Sequence, residues 1–182
     1  MPSIADMRDL SLHVLDLAQN SVRANAALVE IMVSVDESRL ITITIRDDGS
    51  GMSDELKERV TSPFATTRTT RKVWLGIPLM MQNARLAGGD VRIDSTLGQG
   101  TTLTATLHGD SIDCLPLGDL AGTVVSLVSA NPERPDFRLS CSSPKGSMDF
   151  DTREMRQALG NVPLNEPEIT AWMLSAIQEE IE

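Results

Sequence analysis

The stretch that most constrains this chain is Asp47-Asp48-Gly49-Ser50-Gly51-Met52, which directly follows the β-rich run Leu40–Arg46. A strand that runs into two carboxylates and two closely spaced glycines must turn there. Glycine has no Cβ, so the backbone at Gly49 and Gly51 can come close to a flat partner without a clash. A carboxylate at the tip of a strand can accept a hydrogen bond from an exocyclic amine. Two plainer readings stand beside that one. The segment can be an ordinary Asp-Gly turn, or a calcium loop. The second lacks the liganding Asp/Asn positions and the terminal Glu of an EF-hand.

Three further segments follow the same pattern of polar chemistry at an element boundary. Asp16, Asn20 and Arg23 lie on an expected helix at i, i+4 and i+7, and so share one face. A carboxylate, an amide and a guanidinium on one face suit a magnesium phosphate: the amide offers a hard oxygen, the guanidinium a phosphate clamp, the carboxylate a base or an anchor. A solvated polar stripe is the alternative. Pro63-Phe64-Ala65-Thr66-Thr67-Arg68, then Arg71-Lys72 and Gly76-Ile77-Pro78-Leu79, bring three cations to a helix N-terminus, where free amides favour anions. The alternative is a solvated charged loop. Gly98-Gln99-Gly100-Thr101 stands at a strand entrance, with a hydroxyl able to bond a base. Its alternative is a glycine hairpin turn.

The rest of the chain frames these segments. Apolar residues at Leu10, Val14, Leu17, Ala18 and Val22 predict a helix over Asp6–Ala26. Leu28–Val35 and Leu40–Arg46 predict a hairpin. Ser53 is the expected N-cap of a short helix, and residues 61–75 read as a loop. A second main helix is expected over Pro78–Ala87, closed by Gly88-Gly89, then strands at Val91–Ser95 and Thr101–Leu107. Beyond His108, Thr123–Ala130 and Phe137–Ser142 read as another hairpin. Asp151 with Glu154, and Asn165 with Glu168, predict capped helices to Leu159 and about Ile181.

Composition bounds what such a chain can do. With 182 residues and 41% apolar content, one generous domain or a domain with an appendage can bury a core. No apolar run is long enough for a membrane span, and Asp6, Arg8 and Asp9 exclude a secretory h-region, so a cytoplasmic protein without membrane partners is expected. Cys114 and Cys141 lack any C-x-x-C context, so reduced thiols are expected rather than a disulfide or zinc site. The net charge of −10 is concentrated late: residues 108–182 hold 5 Lys+Arg against 13 Asp+Glu. That repels phosphate backbones, so nucleic acid is not an expected partner. The acidic tail can dock on a basic protein or simply keep the chain soluble.

The ordered set of segments resembles the GHKL, or Bergerat-fold, ATPase superfamily, which includes the catalytic domains of histidine kinases, gyrase B and MutL. The helix segment Asp16–Ala26 resembles the N box and Asp47–Gly51 the G1 box. Pro63–Arg68 resembles the F box and lid, Gly76–Leu79 the G2 box and Gly98–Thr101 the G3 box. The resemblance implies an α+β fold: a two-layer α/β sandwich, its mixed sheet covered by helices on one face, with a small acidic α/β extension. It places an ATP-binding domain at 1–110 and an extension of unassigned role at 111–182.

It also implies roles. Asn20 would hold Mg²⁺, and Asp47 the adenine amino group, assisted by Thr101. Gly49, Gly51 and Met52 would shape the purine slot. Arg23, Thr67 and Arg68 would meet the phosphates, with Gly76, Ile77 and Gly100 completing the pocket and residues 61–75 acting as a lid. Asp16 stands where hydrolysing members carry Glu and would be the base. Pro78 stands where the G2 box usually has its second glycine, which removes a donor. The expected cofactors are ATP and Mg²⁺. The expected activity is kinase-like phosphotransfer to a protein partner or slow hydrolysis, and a nucleotide-gated binding module is the alternative. A homodimer is a further expectation. No phosphoacceptor hairpin precedes Asp16, and His13 and His108 read as structural or surface residues, so a self-sufficient sensor kinase is not expected. The tail segments Asp149–Glu154 and Val162–Asn165 resemble those of short histidine kinase-like proteins found beside iron-only hydrogenase genes in anaerobic bacteria.

Overall fold

A computed structural model describes residues 8–61 and 76–181. The expected hairpin forms as β1 (Leu28–Val35) and β2 (Leu40–Asp47), paired antiparallel with Val29 opposite Asp47. β3 (Asp90–Thr96) and β4 (Gly100–His108) form a second antiparallel pair, and β4 lies against β2 with Thr101 opposite Asp47. The C-terminal region joins the same sheet. β5 (Asp136–Ser143) runs parallel to β1, and β6 (Gly146–Asp151) closes the far edge. The order is β3-β4-β2-β1-β5-β6, a six-stranded mixed sheet.

Residues alternate along each strand between two faces. Val29, Ile31, Ile43, Leu103, Ala105, Leu107, Phe137 and Leu139 all bury toward one of them. That face is covered by α1 (Leu10–Arg23), α3 (Gly76–Leu86), α4 (Leu120–Ala130) and α6 (Pro167–Ile181). The opposite face carries Thr42, Thr44, Thr102, Thr104 and Thr106 and stays at least partly open. Two short helices complete the layer, α2 (Asp54–Thr61) beside α3 and α5 (Thr152–Leu159) beside β5. Cys114 and Cys141 are free. No helix among the described residues is long and apolar enough to cross a membrane.

Several boundaries move. α1 starts at Leu10 because Asp9 caps it, its carboxylate accepting from Leu12 N at 3.0 Å. The described part of α3 begins at Gly76, so the helix is already formed two residues before the expected start at Pro78. The larger correction is the expected strand Thr123–Ala130, which is helix α4. Its β-branched Val124, Val125 and Val128 suggest extended structure, but Asp119 caps the segment by accepting from Gly122 N. All three valines bury in the core, where α4 packs on α1 and β5. Burial against neighbours overrides a weak intrinsic preference. The hairpin partner of β5 is therefore β6.

Candidate nucleotide site

The site grows from the C-terminal half of α1 and the turn after β2. Hairpin β1–β2 returns the chain to α1, so Asp47 meets Ser21, whose hydroxyl donates to Asp47 Oδ2 at 2.6 Å. Gly49 N donates to the other oxygen at 2.9 Å. Each carboxylate oxygen thus receives one protein donor and keeps lone pairs for a ligand. The neighbouring Asp48 has a structural task, accepting from Ala27 N and Leu28 N at 2.7 and 3.0 Å. Partial burial opposes its ionisation, but those backbone amides outweigh it and hold the carboxyl below its usual range.

The loop 47–52 is pinned on both sides. Ser50 N donates to Ala24 O at 2.9 Å, and Gly98 N to Ser50 O at 2.7 Å. Met52 N donates to Ser95 Oγ at 2.8 Å, and that hydroxyl also meets Thr101 Oγ1 at 2.8 Å. Gly51 has φ +67°, and a Cβ there would strike Thr96 O. A Cβ on Gly100 would strike Asp47 O, and one on Gly49 would lie 2.8 Å from the Ala24 methyl. The glycines thus serve close backbone packing around Asp47.

Asn20, Asp47, Gly51, Met52, Ile77 and Thr101 line one small cavity of about 30 Å³, with Leu17, Ser21, Ala24, Ile45 and Leu103. Asn20 is 6% exposed, and its Nδ2 has no hydrogen-bond partner among the described residues. Arg23, exposed at the rim, donates to Asn20 Oδ1 at 3.4 Å. Asp16 is 5% exposed and does not line the cavity. It abuts the head of α3, where a Cβ on Gly76 would collide with its Oδ2. Burial raises the Asp16 carboxyl above its usual range, and the positive charge of Arg23 only partly offsets this. The burial of Asp16 and Asn20 excludes a wholly solvated polar stripe.

The structure thus brings six of the expected residues to one cavity wall and sets Gly49, Gly76, Gly100, Asp16 and Arg23 around it. Thr67 and Arg68 lie outside the described residues. Ser21 and Ser95, which orient Asp47 and Thr101, carried no signal in the sequence: a lone serine on a helix or strand has no diagnostic spacing. His13 is fully buried, where Asn83 Nδ2 donates to its Nε2 at 2.8 Å, and His108 is exposed. Among the described residues no group of three or more His, Cys, Asp or Glu is placed to hold a metal.

A pocket built from a helix-borne amide, a glycine-flanked carboxylate and a strand hydroxyl, on a mixed sheet with one helical layer, defines a nucleotide-binding protein of the Bergerat class. Residues 5–111 match the family described as Histidine kinase-, DNA gyrase B-, and HSP90-like ATPase. The chain belongs to that family, whose domain binds ATP. It is similar to the histidine protein kinase DivJ of Caulobacter vibrioides, 32% identical over 57% of this chain and 18% of that one. It is similar also to the sensor histidine kinase WalK of Bacillus subtilis, 30% identical over 55% of this chain and 18% of the relative. The chain spans less than a fifth of the length of either. Among solved structures, the N-terminal domain of a DNA repair protein shares the fold, with a TM-score of 0.50 and 16% identity over 79% of this chain and 51% of the other.

Proposed function

We propose that this chain binds Mg-ATP in the cavity between α1, the 47–52 loop and α3, and passes the γ-phosphoryl group to a partner protein or, slowly, to water. The observation that carries this reading is the meeting, in one cavity, of the anchored Asp47 carboxylate and the buried Asn20 amide, whose Nδ2 has no partner among the described residues and whose Oδ1 has only the long bond from Arg23. Neither group has a structural task that uses all its hydrogen-bonding capacity. The donor set fits the ligand: a hard amide oxygen for the metal and a carboxylate for an exocyclic amine.

In this reading the Asp47 carboxylate accepts from the adenine amino group and Thr101 adds its hydroxyl. Met52 and Ile77 pack on the ring. Asn20 offers its amide oxygen to Mg²⁺, and Arg23, with Thr67 and Arg68 of the 62–75 segment, meets the phosphates. The bound metal would neutralise charge on the phosphate oxygens. Asp16 takes a proton from the attacking hydroxyl, a role worth about 10²–10⁴-fold in rate. All described residues that line the cavity lie within 1–110, which we take as the ATP-binding unit, with 111–182 as its extension. A cavity of about 30 Å³ admits little more than a water, so the walls must part to admit a purine.

One observation favours a second reading. Asp16 lies against Gly76 rather than on the cavity wall, as suits a support for α3 in a nucleotide-gated binding module that does not turn ATP over. The two readings separate in one experiment. ATP, ADP and GTP are titrated by calorimetry with and without Mg²⁺, and phosphate release is followed for the parent and Asp16→Asn. Binding that prefers adenine and needs Asp47, with release that falls in Asp16→Asn, supports the enzyme. Equal release rates remove the base role, and unchanged ATP affinity in Asp47→Asn refutes the pocket.

A further inference from the structure

A second cavity lies at the edge of the sheet beyond β5, and none of its lining residues lines the nucleotide pocket. It is a groove of about 650 Å³ between β6, α5 and α6. That volume falls in the range of functional ligand sites, about 300–1,000 Å³. β6 is terminal in the sheet order, so among the described residues one flank of its backbone has no strand beside it. Met148, Asp149, Phe150 and Asp151 all line the groove. Consecutive strand residues point to opposite faces, so four in a row can share a groove only if it runs along the edge of the strand. An antiparallel ladder also turns the N–H and C=O of every second residue away from its partner. The groove therefore meets an open row of main-chain donors and acceptors.

Its walls say what fits there. Leu159, Ile169, Trp172 and Ala176 supply an apolar surface, and Trp172 is 58% exposed, an expensive place for the largest apolar side chain. Every charged residue that lines the groove among the described residues is a carboxylate: Asp149, Asp151, Glu154 and Glu180. Asp149 and Asp151 are already paired, with Arg138 and Arg153. Glu154 and Glu180 make no ion pair among the described residues.

We propose that this groove receives an extended, cationic and apolar segment of a partner protein, which adds to the sheet as a seventh strand against β6. Main-chain hydrogen bonds supply the ladder, and alternate side chains supply specificity. One set of its side chains faces Trp172 and Ile169, and its cations meet Glu154 and Glu180. A second copy of this chain is a poor occupant, since it brings a further net charge of −10 to an acid-lined groove. A helix or a small apolar molecule would leave the β6 edge unpaired.

The full chain is titrated with two short synthetic peptides, one of alternating lysine and valine and one of alternating glutamate and valine. Amide exchange is read at residues 146–151. The cationic peptide is expected to bind and slow exchange of the outward β6 amides. Glu154→Lys combined with Glu180→Lys, and separately Trp172→Ala, should each weaken it by about tenfold, the scale of lost charge pairs or of an aromatic anchor. All three residues are exposed, and none touches the nucleotide pocket, so ATP binding should be unchanged. Equal affinity for both peptides, no protection of β6, or insensitivity to the charge reversals would overturn the proposal. So would binding of a cationic helical peptide that leaves β6 exchange untouched.

Discussion

Ser21 Oγ and Asp47 Oδ2 lie 2.6 Å apart, joining α1 to the end of β2 across 26 positions of sequence. The bond fixes the carboxylate that the proposed adenine contact uses, and a hydrogen bond to a charged group contributes about 1.5–3 kcal/mol. In Ser21→Ala the ligand must order the released carboxylate, at about 0.5–1.5 kcal/mol, so ATP affinity should fall by roughly two- to tenfold while the circular dichroism spectrum is retained. Calorimetry of that variant beside the parent checks it. An unchanged dissociation constant would mean that Asp47 needs no positioning.

A Cβ on Gly76 would collide with Asp16 Oδ2, so the Asp16 side chain would have to shift within its buried site to admit it. Gly76→Ala is expected to cost about 1–3 kcal/mol, the usual scale of overpacking. Combining it with Asp16→Ala should recover part of that loss, and a thermal double-mutant cycle measures the coupling. Additive losses would show that the two sites do not touch.

Asp16 carries a carboxyl whose pKa burial has raised, with Arg23 opposing. The folded chain therefore binds that proton more tightly than the unfolded chain. Its contribution to stability is full below the unfolded pKa of about 3.9 and is lost as pH rises through the folded value. Asp16→Asn removes the buried charge, so it should raise the melting temperature at neutral pH, with the gain shrinking as pH falls toward 4. Under the enzyme reading the same variant slows phosphate release by about 10²–10⁴-fold. A stability gain with no loss of turnover would mark Asp16 as a support for α3.

His13 behaves with the opposite sign. Burial lowers its pKa, with Asp9 pulling the other way, so the folded chain holds a neutral imidazole that accepts from Asn83. That contribution is present above the ordinary value of about 6.5 and is lost as pH falls through the lowered folded pKa. Urea midpoints should drop as the buffer is taken from about pH 6.5 toward 5. His13→Gln should flatten that slope. An equally steep slope in the variant would place the acid sensitivity elsewhere.

The strands around the pocket were legible because their signals are local. β1 and β2 alternate in hydrophobicity around a polar turn, and the glycines after β2 mark a chain reversal whatever lies nearby. Asp47 and Asn20 stood out for the same reason, as chemistry placed at an element end or on one helix face. Ser21 and Ser95 were not legible, because their role exists only once the hairpin has folded back on α1. α4 misled through Val124, Val125 and Val128, whose branched side chains favour strands until a helix buries them. β6 was missed because Ser147-Met148-Asp149-Phe150 offers only two apolar positions in a six-residue strand. Its pairing with β5 is a long-range consequence of the sheet.

β1 stands between β2 and β5, bonded on both flanks. Severing the chain at 110 would therefore not liberate a tidy ATP-binding fragment. It would strip β1 of its parallel neighbour and uncover Val29 and Ile31 where Phe137 and Leu139 now lie beside them. A raw, greasy flank of that kind recruits other chains. β5 covers that flank in the whole chain, so a protein truncated at 110 should precipitate, by light scattering, where the whole one stays dispersed.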